Sequence, residues 1–238
     1  MENIRLEYRG ETAVLTVDRP EALNALNSAT LREMEEALSL LEERKDLRTV
    51  IVTGGGEKSF VAGADISEMV NATPAEGRAM ALLADEAFCR LENMPQVTIA
   101  AVNGYALGGG CEIAMACDIR IASENAKFAQ PECGLGILPG FGGTQRLARL
   151  VGMGMAKQLV YSALNIKADE ALRIGLVNAV YTQEELMPAA LKLAGKIAKN
   201  APIAVRNCKK AINDGISLPI EKAVEVEEKL FGDCFETH

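Results

Sequence analysis

Short apolar segments rich in β-branched residues alternate along this chain with longer segments of helical periodicity, and that alternation restricts the architectures open to it. TVIVTG (49–54), VTIAAV (97–102) and DIRIA (118–122) read as short buried strands. Ahead of them, IRLEYRGETAVLTV gives two strands around a turn at Arg9-Gly10-Glu11. Leu31, Met34, Leu38 and Leu41 recur at helical spacing after the cap signal Asn27-Ser28, and the charges at 42–46 close that helix. Met80, Leu83, Ala84, Ala87 and Leu91 mark a second helix, which Pro95 ends. Strands of this length separated by helices predict an α/β architecture with parallel pairing.

After about Gly142 the pattern changes. Helices are expected over 144–151, 153–162, 183–199, 202–213 and 219–231, with one strand-like piece, LVNAVY, at 176–181. Pro202 suits a first helical turn, and Gly215 is expected past the end of its helix. The C-terminal third is therefore mostly helical, and exposed apolar helix faces there suit an oligomer interface.

Composition removes several classes of function. The chain's single histidine, His238, is its last residue, which leaves no internal imidazole for a Ser/His/Asp or Cys/His triad, a zincin motif or a histidine metal site. A formal net charge of -8 repels phosphate backbones, so nucleic acid is a poor partner. The six cysteines form no CxxC pair and are expected as reduced thiols, several within apolar core segments. No apolar run approaches the roughly 20 residues of a membrane helix, and the opening MENIRLEYRGE lacks the layout of a signal peptide. A cytoplasmic protein is the expectation.

Glycines cluster at 54–56, 108–110 and 140–143, but neither G-x-G-x-x-G nor G-x-x-x-x-G-K-[ST] occurs. By themselves these glycines read as tight turns and close packing. The stretch GYALGGGCEIAMACD (104–118) says more, because it sets Glu112 in small apolar surroundings at the start of a short helix. Either the helix dipole stabilises that carboxylate, or the unpaired first-turn N–H groups hold a developing oxyanion while Glu112 moves a proton. Glu132, in FAQPECGLGILPGFGGTQR, is a second carboxyl in a similar setting. Burial and mutual repulsion can separate the proton affinities of two such groups, as paired acid/base work requires.

RPEALNALN (19–27), SFVAGADISEM (59–69), VNGYALGGGCEIAMACDIRIAS (102–123) and FAQPECGLGILPGFGGTQRL (128–147) together resemble the crotonase, or enoyl-CoA hydratase, family, with short-chain bacterial crotonases nearest. The resemblance continues through IKADEALRIGLVN (166–178) to the end of the chain. It implies an α/β fold in which a spiral of ββα units, expected over 1–195, precedes a helical trimerisation region over 196–238 that lacks the final helix of many relatives. It further implies a homotrimer or a hexamer built as a dimer of trimers.

Carried over residue by residue, the resemblance makes Glu112 and Glu132 the catalytic pair, and the N–H groups of Ala64 and Gly109 the oxyanion hole for a thioester oxygen. Ala22, Leu23, Ala62, Ala64, Asp65, Ile66 and Gly109 would lie along the CoA thioester, with Lys58 a candidate near its phosphates. Ser67 stands where some relatives carry lysine. Asp65 and Asp118 equally suit structural roles, as acceptors of backbone N–H bonds in turns. The implied reaction is reversible syn hydration of crotonyl-CoA to (3S)-3-hydroxybutyryl-CoA, without metal, nicotinamide or flavin, the CoA thioester being the substrate. The rivals are a 3,2-enoyl-CoA isomerase, which needs one carboxylate, an RNA-binding homologue, which needs a basic patch, and a catalytically silent oligomeric scaffold.

Overall fold

A computed structural model describes residues 1–236, so His238 and Thr237 lie outside the described residues. Strands β1 (Ile4–Arg9) and β2 (Thr12–Val17) form an antiparallel hairpin whose turn needs the left-handed Gly10, at φ +62. Helix α1 (Ser28–Glu43) begins where the Asn27 side chain accepts from the Thr30 N–H at 2.8 Å. From there the chain winds in successive strand–strand–helix turns.

One turn is β3 (Thr49–Gly54), β4 (Ser59–Val61) and α2 (Pro74–Asn93), the helix opened by a capping box between Thr73 and Glu76. Another is β5 (Val97–Val102), β6 (Tyr105–Leu107) and α3 (Gly109–Ala116). A third brings β7 (Ile119–Ser123), β8 (Lys127–Ala129), a 3-10 turn at Glu132–Leu135 and α4 (Gly143–Val151). Then follow α5 (Met153–Ser162), β9 (Ile166–Lys167), α6 (Ala168–Arg173), β10 (Ala179–Tyr181) and α7 (Gln183–Ala198), ending with α8 (Pro202–Gly215) and α9 (Ile220–Asp233).

In each turn the first strand joins a six-stranded sheet, ordered β1-β2-β3-β5-β7-β10, and the second joins a four-stranded sheet, ordered β4-β6-β8-β9. From β2 onward the larger sheet is parallel, as the helical crossovers require. Alternation along its strands divides the core. Ile51, Ile99 and Ala101 face α7 with Leu186, Ala190 and Ala194, whereas Val50, Val52, Ala100 and Val102 face the main core with α1, α2 and α3. Each fully buried Ile, Leu or Phe there contributes roughly 1.5–3 kcal/mol.

Helices α8 and α9 pack chiefly on each other. Two polar ties join α8 to the spiral: Lys209 Nζ reaches the Asp118 carboxylate at 2.8 Å and the Gln96 carbonyl at 3.0 Å, and Asn213 donates to the Glu92 carbonyl at 3.2 Å.

Three expectations need correction. The strand expected over 176–181 is only Ala179–Tyr181, because the N–H groups of Leu176 and Val177 donate to Ala171 O and close α6 instead. Gly215 is the last residue of α8 rather than the first beyond it. Of the cysteines, Cys111 and Cys117 are buried, but Cys89 on α2, Cys133 in the 3-10 turn and Cys208 on α8 are exposed.

Candidate active site

The site forms where α3 starts against the small sheet. A Cβ on Gly110 would collide with the Val61 carbonyl, so only glycine lets the first turn of α3 settle on β4. That docking sets the Gly109 N–H, one of the donors that a helix start leaves without an intrahelical acceptor, beside residue 64. The position a Gly109 Cβ would take is 3.5 Å from the Ala64 nitrogen. Ala64 is held by a bridge in which Leu26 N donates to Gly63 O and Asp65 N to Leu26 O, both at 2.8 Å. The Ala64 N–H between them stays outside that pairing. The structure thus sets Gly109 and the Ala64 N–H side by side.

Glu112, one turn into α3, is 1% exposed. Its Oε1 accepts from the Gly143 N–H at 2.7 Å and from the Phe141 N–H at 2.9 Å, which fixes the carboxyl plane and leaves Oε2 free of these donors. Burial, then the nearby charge of Glu132, raises its pKa to about 7, against the lowering effect of the two N–H groups. Glu132, 9% exposed, opens the 3-10 turn after Pro131. Burial raises its pKa as well. Among the described residues, Oε2 of Glu132 is buried without a hydrogen-bond partner. Such an orphan acceptor is costly in a finished core and suits a site that takes in water or a polar ligand. Gly108, at φ +50, lies against the Glu132 carboxyl, where a side chain would be in the way.

The early loop closes in from the other side. Leu23 and Asn24 both adopt left-handed backbone, at φ 53 and 60. Asn24 is fully buried; its Oδ1 accepts from Arg19 N at 2.9 Å, and its Nδ2 donates to Gly55 O at 3.0 Å and Ser59 O at 2.8 Å. This brings Leu23 O within 3.1 Å of Ala62 N, so Ala22, Leu23, Ala62 and Ala64 share one edge, all half-buried, with Ile66 exposed next to them. The Asp65 carboxylate caps a 3-10 turn (Ile66–Glu68) through Ser67 and pairs with Arg19 at 3.6 Å, and the Ser67 hydroxyl holds its pKa below the usual range. Asp118 is engaged structurally by Thr98 and Lys209. Lys58 is exposed on the loop before β4.

Sequence reading missed the groups that hold Glu112. Phe141 and Gly143 serve through their backbone, and the available signal was PGFGG opening a helix, taken above as a tight turn. Arg146 and Asp85, both near that turn, were not singled out. Gln130, 1% exposed, donates to Gly108 O at 3.3 Å and was not singled out. Cys111, its pKa pushed up to about 12 by burial, is an inert thiol beside the site. Among the described residues no group of three or more His, Cys, Asp or Glu side chains could hold a metal ion.

A buried pair of carboxyls beside backbone N–H groups can activate water and stabilise an oxyanion, and known proteins share the fold that holds them. The family model described as enoyl-CoA hydratase/isomerase matches residues 7–238. A short-chain-enoyl-CoA hydratase of Clostridium acetobutylicum is 60% identical over 237 residues, 100% of this chain and 91% of that protein. A crotonyl-CoA hydratase of Syntrophomonas wolfei is 54% identical over 236 residues, covering 99% and 91%. The crystal structure of an enoyl-CoA hydratase from Bacillus anthracis superposes with a TM-score of 0.96 at 40% identity, over 99% of this chain and 92% of that one. The spiral of strand–strand–helix turns, sustained with these identities over nearly the whole length, is that of the enoyl-CoA hydratase/isomerase family, to which this chain belongs.

Proposed function

We propose that the protein catalyses reversible syn addition of water to a short-chain trans-2-enoyl-CoA, with crotonyl-CoA and (3S)-3-hydroxybutyryl-CoA as the leading pair. The observation that carries this reading is the buried pair Glu112 and Glu132, both with raised proton affinity, at the glycine-rich start of α3. The names of the two similar bacterial hydratases support the short acyl chain.

In the proposed mechanism the thioester oxygen accepts from the Ala64 and Gly109 N–H groups. Glu112, ionised and held by Gly143 and Phe141, takes a proton from water as its oxygen bonds to Cβ. Electrons of the 2,3 double bond move toward the thioester oxygen, and protonated Glu132 delivers a proton to Cα. One water has then been added, and a proton passing from Glu112 to Glu132 resets the pair. Stabilisation of the enolate-like charge by preorganised donors is the largest expected contribution, with one donor worth about 10²–10³ in rate. The edge formed by Ala22, Leu23, Ala62, Asp65 and Ile66 would receive the CoA portion.

The apolar face left on α8, α9 and the residues just beyond each, with Ile212, Ile216, Ile220, Phe231 and Phe235 exposed, is proposed as the contact of a homotrimer, alone or paired into a hexamer. Residues 196–238 would then serve assembly and the spiral before them chemistry.

Mixing the protein with crotonyl-CoA and following loss of the conjugated enoyl-thioester absorbance tests the reading. Gain of one water, giving the (3S) product by mass and chiral analysis, is expected. Turnover of a 3-enoyl-CoA without hydration of crotonyl-CoA would overturn it in favour of isomerisation.

A further inference from the structure

We propose that Arg146 is a positioning residue for Glu112, locking the turn from Phe141 to Gly143 whose N–H groups hold that carboxylate. The proposal rests on the reading of Glu112 as the water-activating group.

The turn is short and glycine-rich, and would by itself leave its N–H groups free to wander. Arg146 removes that freedom from below. Its Nη1 donates to the Phe141 carbonyl at 3.0 Å, and its backbone N–H donates to Gly142 O at 2.9 Å. Glu92 of α2 holds the other edge of the guanidinium, accepting from Nη2 at 2.8 Å and from Nε at 3.2 Å. The Arg146 side chain is only 11% exposed. Gly142, at φ +86, has no room for a Cβ, because the guanidinium fills that space. Arginine suits this place because a planar fork can bind a carbonyl and a carboxylate at once, which a lysine ammonium on its flexible stem does poorly.

The same residue bears on the charge of the site. Around Glu112 stand Glu132 from the 3-10 turn, Asp85 from α2 and Arg146 from α4, with the un-ionised Cys111 thiol beside it and Arg120 at the far end of α3. Asp85, raised in pKa by burial and lowered by Arg146, adds to the load on Glu112. Removing the guanidinium loosens the Phe141 N–H, one of the two donors that lower the Glu112 pKa, and so favours protonated Glu112.

Arg146→Met is expected to lower kcat by about 10²-fold, as small misplacements of reacting groups do, while KM changes less than about threefold. The acid limb of the kcat/KM profile, which reports ionised Glu112, should move to higher pH by about one unit. Arg146→Lys should recover part of kcat and most of the limb position. Glu92→Gln, at a more exposed residue, should show the same changes on a smaller scale and decides the matter if Arg146→Met does not fold. Folded variants with wild-type kcat and an unmoved acid limb would overturn the proposal, as would losses of kcat that follow melting temperature alone. Glu112→Gln separates the two ideas: if it keeps wild-type kcat, the reading of Glu112 itself fails; if it is inactive while the Arg146 and Glu92 variants are unaffected, only the positioning role fails.

Discussion

The Gly143 N–H lies 2.7 Å from Oε1 of Glu112, joining the start of α4 to the first turn of α3 across 31 positions of sequence. Two glycine-rich turns that look alike in sequence therefore have different tasks. One is proposed to offer an N–H group to the substrate, and the other spends its N–H groups on fixing a carboxylate.

Replacing Glu132 by Gln keeps shape and removes the acidic proton. Turnover should fall at least about 10²-fold, the usual contribution of a positioned acid or base, with CoA-ester binding retained in calorimetry. Wild-type kcat in this variant would remove Glu132 from the mechanism.

Gly109→Pro deletes one N–H at the first position of a helix, where proline is otherwise tolerated. The added ring atoms also meet the Phe141 ring, which lies 3.1 Å from where a Cβ would stand. A loss of about 10²–10³ in kcat is expected in a folded variant, as judged by circular dichroism. Unchanged activity would exclude Gly109 as a donor to the substrate oxygen.

The raised pKa of Glu112 has a stability consequence with a definite sign. Its folded value of about 7 lies above the ordinary 4.5, so the unfolded chain releases this proton first as pH rises. The folded state therefore loses stability between about pH 4.5 and pH 7, by at most about 3 kcal/mol, and no more above that window. Gln, which accepts the same two N–H bonds, escapes this. Glu112→Gln should be inactive yet more stable than wild type at pH 8, with the difference vanishing near pH 4, in denaturant titrations at both pH values.

The Lys209 and Asp118 pair tests how α8 is attached. Their side chains are 8% and 19% exposed at a separation of 2.8 Å, and Asp118 also holds Thr98. Lys209→Met leaves the carboxylate buried without its cation and should cost about 3 kcal/mol. If α8 and α9 form the contact between protomers, the same change should lower the apparent mass in light scattering on dilution. Full stability would mean that solvent replaces Lys209 at no cost.

Much of the larger sheet was legible because TVIVTG and VTIAAV are buried on both faces and so read as continuous apolar runs. The small sheet was not. Ser59–Val61, Tyr105–Leu107 and Lys127–Ala129 are three residues each, too short to show a period of two. They become strands through pairing with partners more than 20 positions away, as Tyr105 does with Lys127. Glu112 and Glu132 stood out because a carboxylate in apolar, glycine-rich sequence is costly unless used. Arg146 gave no such signal, since its partner Glu92 is 54 positions back and both look like helix-surface charges.

Leu23 and Asn24 occupy left-handed backbone that side chains other than glycine rarely adopt, and the three hydrogen bonds of the buried Asn24 keep them there. Fixing one residue's backbone costs about 1–2 kcal/mol in conformational entropy. That loss falls on folding, not on ligand capture. A CoA thioester bound along Ala22 and Leu23, as proposed, would meet a rim already in shape, so its association should proceed in one kinetic phase, with no slow step of loop closure on this side of the cleft.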